Sequence, residues 1–150
     1  MSLLPSYVLL PDEVSTMEML EMTPLFSGLN KGQLKAIVKS SKERSFKKGE
    51  AIVREGESGV GFYLIVGGSA EVRRDGRSLT RLARGQFFGE MGLLDQQPRS
   101  ADVVALEDTD CLVLSSPTFW SLVSTNPKIA RALVQELARR LRETSRTLTE

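Results

Sequence analysis

The chain has 150 residues, 41% hydrophobic and 26% charged, with 20 Lys and Arg against 19 Asp and Glu, a net charge of +1. That is the profile of a globular domain with its own core, and it lacks the basic surplus on which nucleic-acid binding draws. With no histidine and one cysteine, Cys111, the sequence has no ligand set for zinc or iron–sulfur, no intrachain disulfide, and none of the commonest catalytic base; a reducing, cytoplasmic setting and no metal or cofactor are expected.

Met1 to Pro11 is apolar, with Leu3, Leu4, Leu9 and Leu10, but has no basic lead and is broken by Pro5 and Pro11. It fits neither a signal peptide nor a bilayer span, so no membrane insertion is expected. From Asp12 to about Lys42 the spacing of Met17, Leu20, Leu34, Ile37 and Val38 predicts helices, interrupted at Pro24 and Gly28. Asn30 is the expected N-cap of a helix over Lys31–Ser41.

From about Glu43 to Ser115 the pattern changes to short strands: Ala51–Arg54, Phe62–Val66, Ala70–Arg73, Leu79–Leu82, Val103–Leu106 and Cys111–Leu114. Glycines punctuate them, and Asp75-Gly76 is a hairpin signal. Many short strands with regular turns argue for a sandwich or small barrel, the jelly roll being one solution. Beyond Ser115, Pro117 fits the first turn of a short helix ending near Thr125. Asn126 then caps a longer helix with Pro127 at its first position. Along that helix Ile129, Leu133, Leu137, Leu141 and Leu148 form one apolar stripe, with Arg139, Arg140 and Arg142 off it.

The chemistry concentrates in Phe87-Phe88-Gly89-Glu90-Met91-Gly92-Leu93-Leu94 and, shortly after, Pro98-Arg99-Ser100-Ala101. Gly89 lets backbone approach a ligand. A helical turn over Glu90–Leu94 would present unsatisfied N–H groups to an anion. Arg99 carries a planar fork suited to phosphate oxygens. Glu90 can accept from a sugar hydroxyl, and Ser100 can donate or accept. Read singly, Glu90 is a helix-start partner, Arg99 a solvated loop charge and Gly89 a turn residue. In this order they describe a sugar-phosphate pocket.

This run resembles the phosphate-binding cassette of the cyclic-nucleotide-binding family, which includes catabolite activators and the regulatory subunits of cyclic-AMP-dependent kinases. The similarity extends over about Leu25 to Leu148, through Gly49-Glu50, Glu55-Gly56-Glu57, the Tyr63-Leu64-Ile65-Val66 strand with Gly68, and Asn126-Pro127. It implies an eight-stranded β-roll (jelly roll) with N-terminal helices, a C-terminal hinge helix and a long final helix. One domain is then expected over 12–150: helices over 12–42, the roll over 43–115 with the cassette at 87–101, helices over 117–150, and a flexible arm over 1–11.

By this resemblance Arg99 pairs with the cyclic phosphate and Glu90 accepts from the ribose 2′-hydroxyl. The backbone of Gly89, Glu90, Met91 and Gly92, with Ser100, completes the phosphate cage, and Val72 and Leu79 line the base pocket. Thr144 and Ser145 match a Thr-Ser pair that reaches adenine in catabolite activators, the Ser from the partner subunit; otherwise they are hydroxyls on a solvated helix end. Cyclic AMP is the favoured ligand and cyclic GMP the second. Ser100 suits either, and cyclic-di-GMP or no ligand stays open. The expected function is a sensor, not an enzyme, that signals through its last helix, with a homodimer formed along that helix. Ending at Glu150, the chain has no room for the DNA-binding module of catabolite activators, so no direct nucleic-acid contact is expected.

Two other classes compete. One is a ligand-free docking or dimerisation module; the other is a small jelly-roll enzyme in which Glu90 and Asp95 near Arg99 support phosphodiester hydrolysis. The remaining features read as structure: Trp120, Phe119 and Leu122 pack the hinge helix, Cys111 is an inert core thiol, and Arg73-Arg74 and Arg139-Arg140 are solvated pairs.

Overall fold

The computed structural model describes residues 11–57, 61–89 and 99–149, and side chains within 16–143. Apart from Pro11, the expected N-terminal arm lies outside the described residues, as do Glu90, Met91 and Gly92 of the cassette. Helix α1 (Pro11–Glu21), a 3-10 turn (Pro24–Phe26) and α2 (Lys31–Ser40) come first. Eight strands follow among the described residues: β1 (Lys42–Phe46), β2 (Ala51–Val53), β3 (Gly61–Gly67), β4 (Ser69–Arg74), β5 (Arg77–Ala83), β6 (Phe87–Phe88), β7 (Asp102–Ala105) and β8 (Thr109–Ser115). Helices α3 (Ser116–Thr125) and α4 (Pro127–Thr149) close the chain. The strands form two four-stranded antiparallel sheets, ordered β1-β8-β3-β6 and β2-β7-β4-β5.

The inner strands of the first sheet are buried on both faces, which sets their composition. Phe62 and Leu64 of β3, Phe87 of β6, and Leu112 and Leu114 of β8 face the helices and join Leu20, Phe26, Leu34, Ile37, Phe119, Ile129 and Leu133 in one core. Tyr63, Ile65, Phe88 and Cys111 point the other way, into a second core shared with Ile52, Ala70, Leu82, Val103 and Ala105 of the second sheet. A strand apolar on both sides reads as an unbroken run rather than an alternation, and Phe62-Tyr63-Leu64-Ile65-Val66 is such a run. Phe62 ties the elements together, stacking at 5.2 Å on both Phe87 and Phe119.

Local signals explain the helix ends and the hairpin. Asn30 caps α2 in a reciprocal box: its side chain accepts from the Gln33 N–H at 2.8 Å, and Gln33 Oε1 accepts from the Asn30 N–H at 2.9 Å. Between β4 and β5, Asp75 and Gly76 take φ of 53° and 75°, the mirror-image turn that matches strand twist. Asn126 departs from expectation. Its carbonyl accepts the first N–H groups of α4, from Ile129 and Ala130. Its amide, however, is committed elsewhere: Nδ2 donates to the Leu122 carbonyl and Oδ1 accepts from Gln33 Nε2 at 2.9 Å. The α3–α4 junction is thereby tied to the cap of α2.

Strands β1 and β6 carry no strand signal of their own, and Lys42, expected at the end of the helical zone, opens β1. The single stripe expected on α4 also divides. Ile129 and Leu133 are buried, whereas Leu141 is 67% exposed. Steps of four residues turn about 40° each around a helix, so by Leu141 the stripe has rotated about 120° away from Ile129. Leu148 lies outside the described side chains.

Candidate functional site

Arg99 is buried, 7% exposed, and this overturns its reading in isolation as a solvated loop charge. Its main chain is pinned first: the Arg99 N–H donates to the Glu57 carbonyl and the Gly56 N–H to the Arg99 carbonyl, both at 2.8 Å. The side chain turns inward, where Nη1 donates to the Gly89 carbonyl at 2.8 Å and Nη2 to the Gly61 carbonyl at 3.0 Å. The guanidinium lies 5.9 Å from the centre of the Tyr63 ring, which stacks on Phe88 at 5.0 Å. Two carbonyls and a ring thus fix the plane of the fork.

Gly89 is required by the same geometry. Its φ of 92° lies in the region that favours glycine. A Cβ there would come within 2.7 Å of the Gly61 carbonyl oxygen and 2.8 Å of Arg99 Nη1. The backbone passes so close to the guanidinium because nothing projects from Gly89. Ser100 follows on the surface, its carbonyl accepting from Arg74 Nε at 2.9 Å, and Ala101 is buried.

Residues 43–126 match the family model described as "Cyclic nucleotide-binding domain". The chain belongs to this family. It is 36% identical over 126 residues to the cyclic AMP receptor protein of Thermus thermophilus, covering 81% of this chain and 58% of that protein. It is 41% identical over 95 residues to the cAMP-dependent protein kinase regulatory subunit of Debaryomyces hansenii, covering 56% of this chain and 21% of that protein. The crystal structure of the Thermus thermophilus catabolite activator protein superposes with a TM-score of 0.75 at 36% identity, covering 84% of this chain and 62% of that one. The β-roll expected from the sequence is therefore the fold of this domain.

Of the site residues expected from sequence, the structure brings Gly89 and Arg99 into contact and sets Ser100 beside them. Val72 is half-buried on β4 against the inter-sheet core. Leu79 is 52% exposed, at the irregular step in the β4–β5 register. Glu90, Met91 and Gly92 lie outside the described residues; Thr144 and Ser145 fall within α4, their side chains outside the described set.

Of the two arginine pairs read as solvated, Arg74 and Arg140 reach backbone carbonyls elsewhere in the fold, whereas Arg73 and Arg139, both partly exposed, pair with carboxylates of their own elements. Arg73 donates to Glu71 and Arg74 to Ser100. Arg140 donates to the Phe87 carbonyl at 2.8 Å and lies 4.4 Å over the Phe87 ring, while Arg139 pairs with Glu136 and Glu143. Spacing held a signal for Arg140: positions 129, 133, 136 and 140 follow the 4-3-4 rhythm of an inward helix face. The hydrogen bond from Arg139, with that from Arg140, holds the Glu136 carboxyl below its usual range against the opposing effect of burial. Hydrogen bonds from Arg73 and Ser78 do the same for Glu71.

A groove of about 710 Å³ opens elsewhere, between Met19 and Leu25 on one side and Ala132 and Glu136 of α4 on the other, with Phe87 in its lining. It lies on the helical side of the first sheet, away from the face that carries Tyr63 and Phe88. Among the described residues no three metal-ligating side chains gather, and no helix is long and apolar enough to cross a membrane.

Proposed function

We propose that this chain is a cyclic AMP sensor that binds its ligand without transforming it and reports occupancy through α4. The carrying observation is the Gly89–Arg99 contact: a buried guanidinium, its plane fixed by backbone carbonyls, beside a glycine that opens the backbone to close approach. A preorganised fork of this kind suits phosphate oxygens, because little side-chain freedom is lost on binding. In this reading Arg99 holds the cyclic phosphate, and Glu90 accepts from the ribose 2′-hydroxyl. Gly89, Met91, Gly92 and Ser100 complete the phosphate cage; Val72 and Leu79 meet the base, with Thr144 and Ser145 over it. The names of the Thermus and Debaryomyces relatives support cyclic AMP over cyclic GMP. The chain spans 58% and 21% of those proteins, so the activity and partners of the whole protein are part of the proposal, as are the domain limits 12–150.

Transmission through α4 is supported by Arg140, which joins the helix to the strand entering the cassette. Dimerisation with a second copy along α4 is supported by Val134 and Leu141, 64% and 67% exposed and seven residues apart with Leu137 between them, a coiled-coil spacing. The cytoplasm is the proposed location; a lone thiol with no disulfide partner suits it.

Thermal unfolding with no ligand, cyclic AMP, cyclic GMP and AMP tests the reading. At ~100 times its dissociation constant a ligand adds about 2.7 kcal/mol, a rise of several degrees at this size. A shift with cyclic AMP and none with AMP is expected. No shift with any cyclic nucleotide would move the function to a ligand-free docking module, and conversion of cyclic AMP to AMP would restore the enzyme reading.

A further inference from the structure

The chain leaving the cassette is held by parts of the fold outside it. Arg99 exchanges two backbone hydrogen bonds with the turn at Gly56 and Glu57, and Asp102 Oδ1 accepts from the Glu55 N–H at 2.7 Å. Between these points lies Ser100, exposed, its carbonyl accepting from Arg74 Nε. Arg74 is well placed for this. It is the last residue of β4, paired with Arg77 across the rigid Asp75-Gly76 turn. In the neighbouring ladder Arg73 pairs with Asp102, so Arg74 stands alongside the segment just before β7. A long side chain rooted on a paired strand beside a two-residue turn reaches the Ser100 carbonyl with little backbone freedom to lose.

We infer that Arg74 is a positioning residue for the phosphate-binding half of the site: it fixes Ser100, and through Ser100 the approach of Arg99. This rests on the cyclic-nucleotide reading proposed above. The Arg74 side chain acts through one directed hydrogen bond, so its shape matters and not its charge alone. Arg74→Gln loses the charge and the reach. Arg74→Lys keeps the charge but presents a compact ammonium in place of the planar Nε–H.

Two readouts decide it. The first needs no nucleotide: hydrogen exchange in the ligand-free protein. The Arg99 and Gly56 amides should exchange about threefold faster or more in both variants, while Ile65 and Cys111 amides keep their wild-type rates. The second is cyclic AMP affinity, expected to fall about three- to tenfold in both variants. Unchanged exchange at Arg99 and Gly56 would overturn the inference, as would wild-type affinity in Arg74→Lys, which would make Arg74 a source of charge only. Faster exchange throughout the protein would also overturn it, by making Arg74 a general stabiliser. Should the wild-type protein bind no cyclic nucleotide, the functional reading fails, and the exchange arm still decides whether Arg74 holds Ser100 and Arg99.

Discussion

Arg140 of α4 lies 4.4 Å above the ring of Phe87 and donates to the carbonyl of the same residue, so one side chain binds the last helix to both the ring and the backbone of β6. Phe87 in turn stacks on Phe62 and precedes Phe88 and Gly89. In the proposed function these two contacts, beside the packing of Ile129 and Leu133 in the same core, would carry a movement of α4 to the entrance of the cassette.

The adjacent arginines should differ sharply on substitution. Arg140→Met keeps an apolar stem but loses the cation over the ring and the donor to Phe87, and should cost about 1–2 kcal/mol. Among the described residues Arg139 pairs with carboxylates of its own helix, and it is half exposed, so Arg139→Met should stay within about 0.5 kcal/mol of wild type. Urea unfolding of the two variants checks this. Equal losses would return Arg140 to the solvated pair that its sequence neighbours suggest.

Gly89 and Gly85 offer a matched comparison for the candidate site. Their φ values are close, 92° and 89°, but a Cβ on Gly85 meets nothing within 4 Å, whereas one on Gly89 meets the Gly61 carbonyl and the Arg99 guanidinium. Gly85→Ala should cost about 1–2 kcal/mol, the left-handed penalty alone. Gly89→Ala should cost more and should also weaken cyclic-nucleotide binding, because the Cβ displaces the groups that orient Arg99. Denaturation and nucleotide titration of both variants separate the two effects. Equal stability losses with equal affinity would show that Gly89 serves only the turn.

What could be read from sequence was whatever the chain encodes locally. The Phe62–Val66 strand, the Asp75-Gly76 hairpin and the Asn30 cap all depend on neighbours within a few residues. Strand β1 was not legible because Lys42-Glu43-Arg44-Ser45 lies at a sheet edge with those four side chains exposed and only Phe46 buried; pairing with β8 makes it a strand. Strand β6 is two residues long, too short for any period. At the site, Gly89 and Arg99 were legible through their order in the cassette. Arg74 was not, since its acceptor lies 26 residues away; for Arg140 the helix rhythm marks an inward position but does not name the acceptor, 53 residues away. Asn126 was half legible: its backbone does begin α4, but no local rule assigns its amide to Gln33.

Acid should weaken the protein through two carboxylates. Glu71 and Glu136 are both held below the ordinary carboxylate range, first of all by hydrogen bonds from Arg73 and from Arg139. A depressed native pKa means that the unfolded chain takes up protons first as pH falls. The stabilisation is thus complete above about pH 5 and is lost as pH drops through the native values. Glu136→Gln should lower the melting temperature at pH 7 and converge on wild type at low pH, where both side chains are neutral. Both pairs are partly solvated, so added salt should shrink the difference. A constant gap between the two curves across pH would mean that the loss comes from packing and not from ionisation.

Cys111 should behave oppositely, on the alkaline side. It is 0% exposed in the inter-sheet core, and burial, reinforced by the charge of Asp110, pushes its thiol pKa up to about 12. In the unfolded chain a cysteine ionises near pH ~8.5. Its contribution is therefore complete below that value and is lost progressively as pH rises toward 12. The thiolate is the reactive form, so the native protein should resist a thiol reagent at neutral pH and react at the rate at which it opens. Labelling in increasing urea should show modification rising with the unfolded fraction. Fast labelling of the folded protein would place Cys111 in an accessible, electropositive setting, and the picture of two sheets closed over it would have to be abandoned.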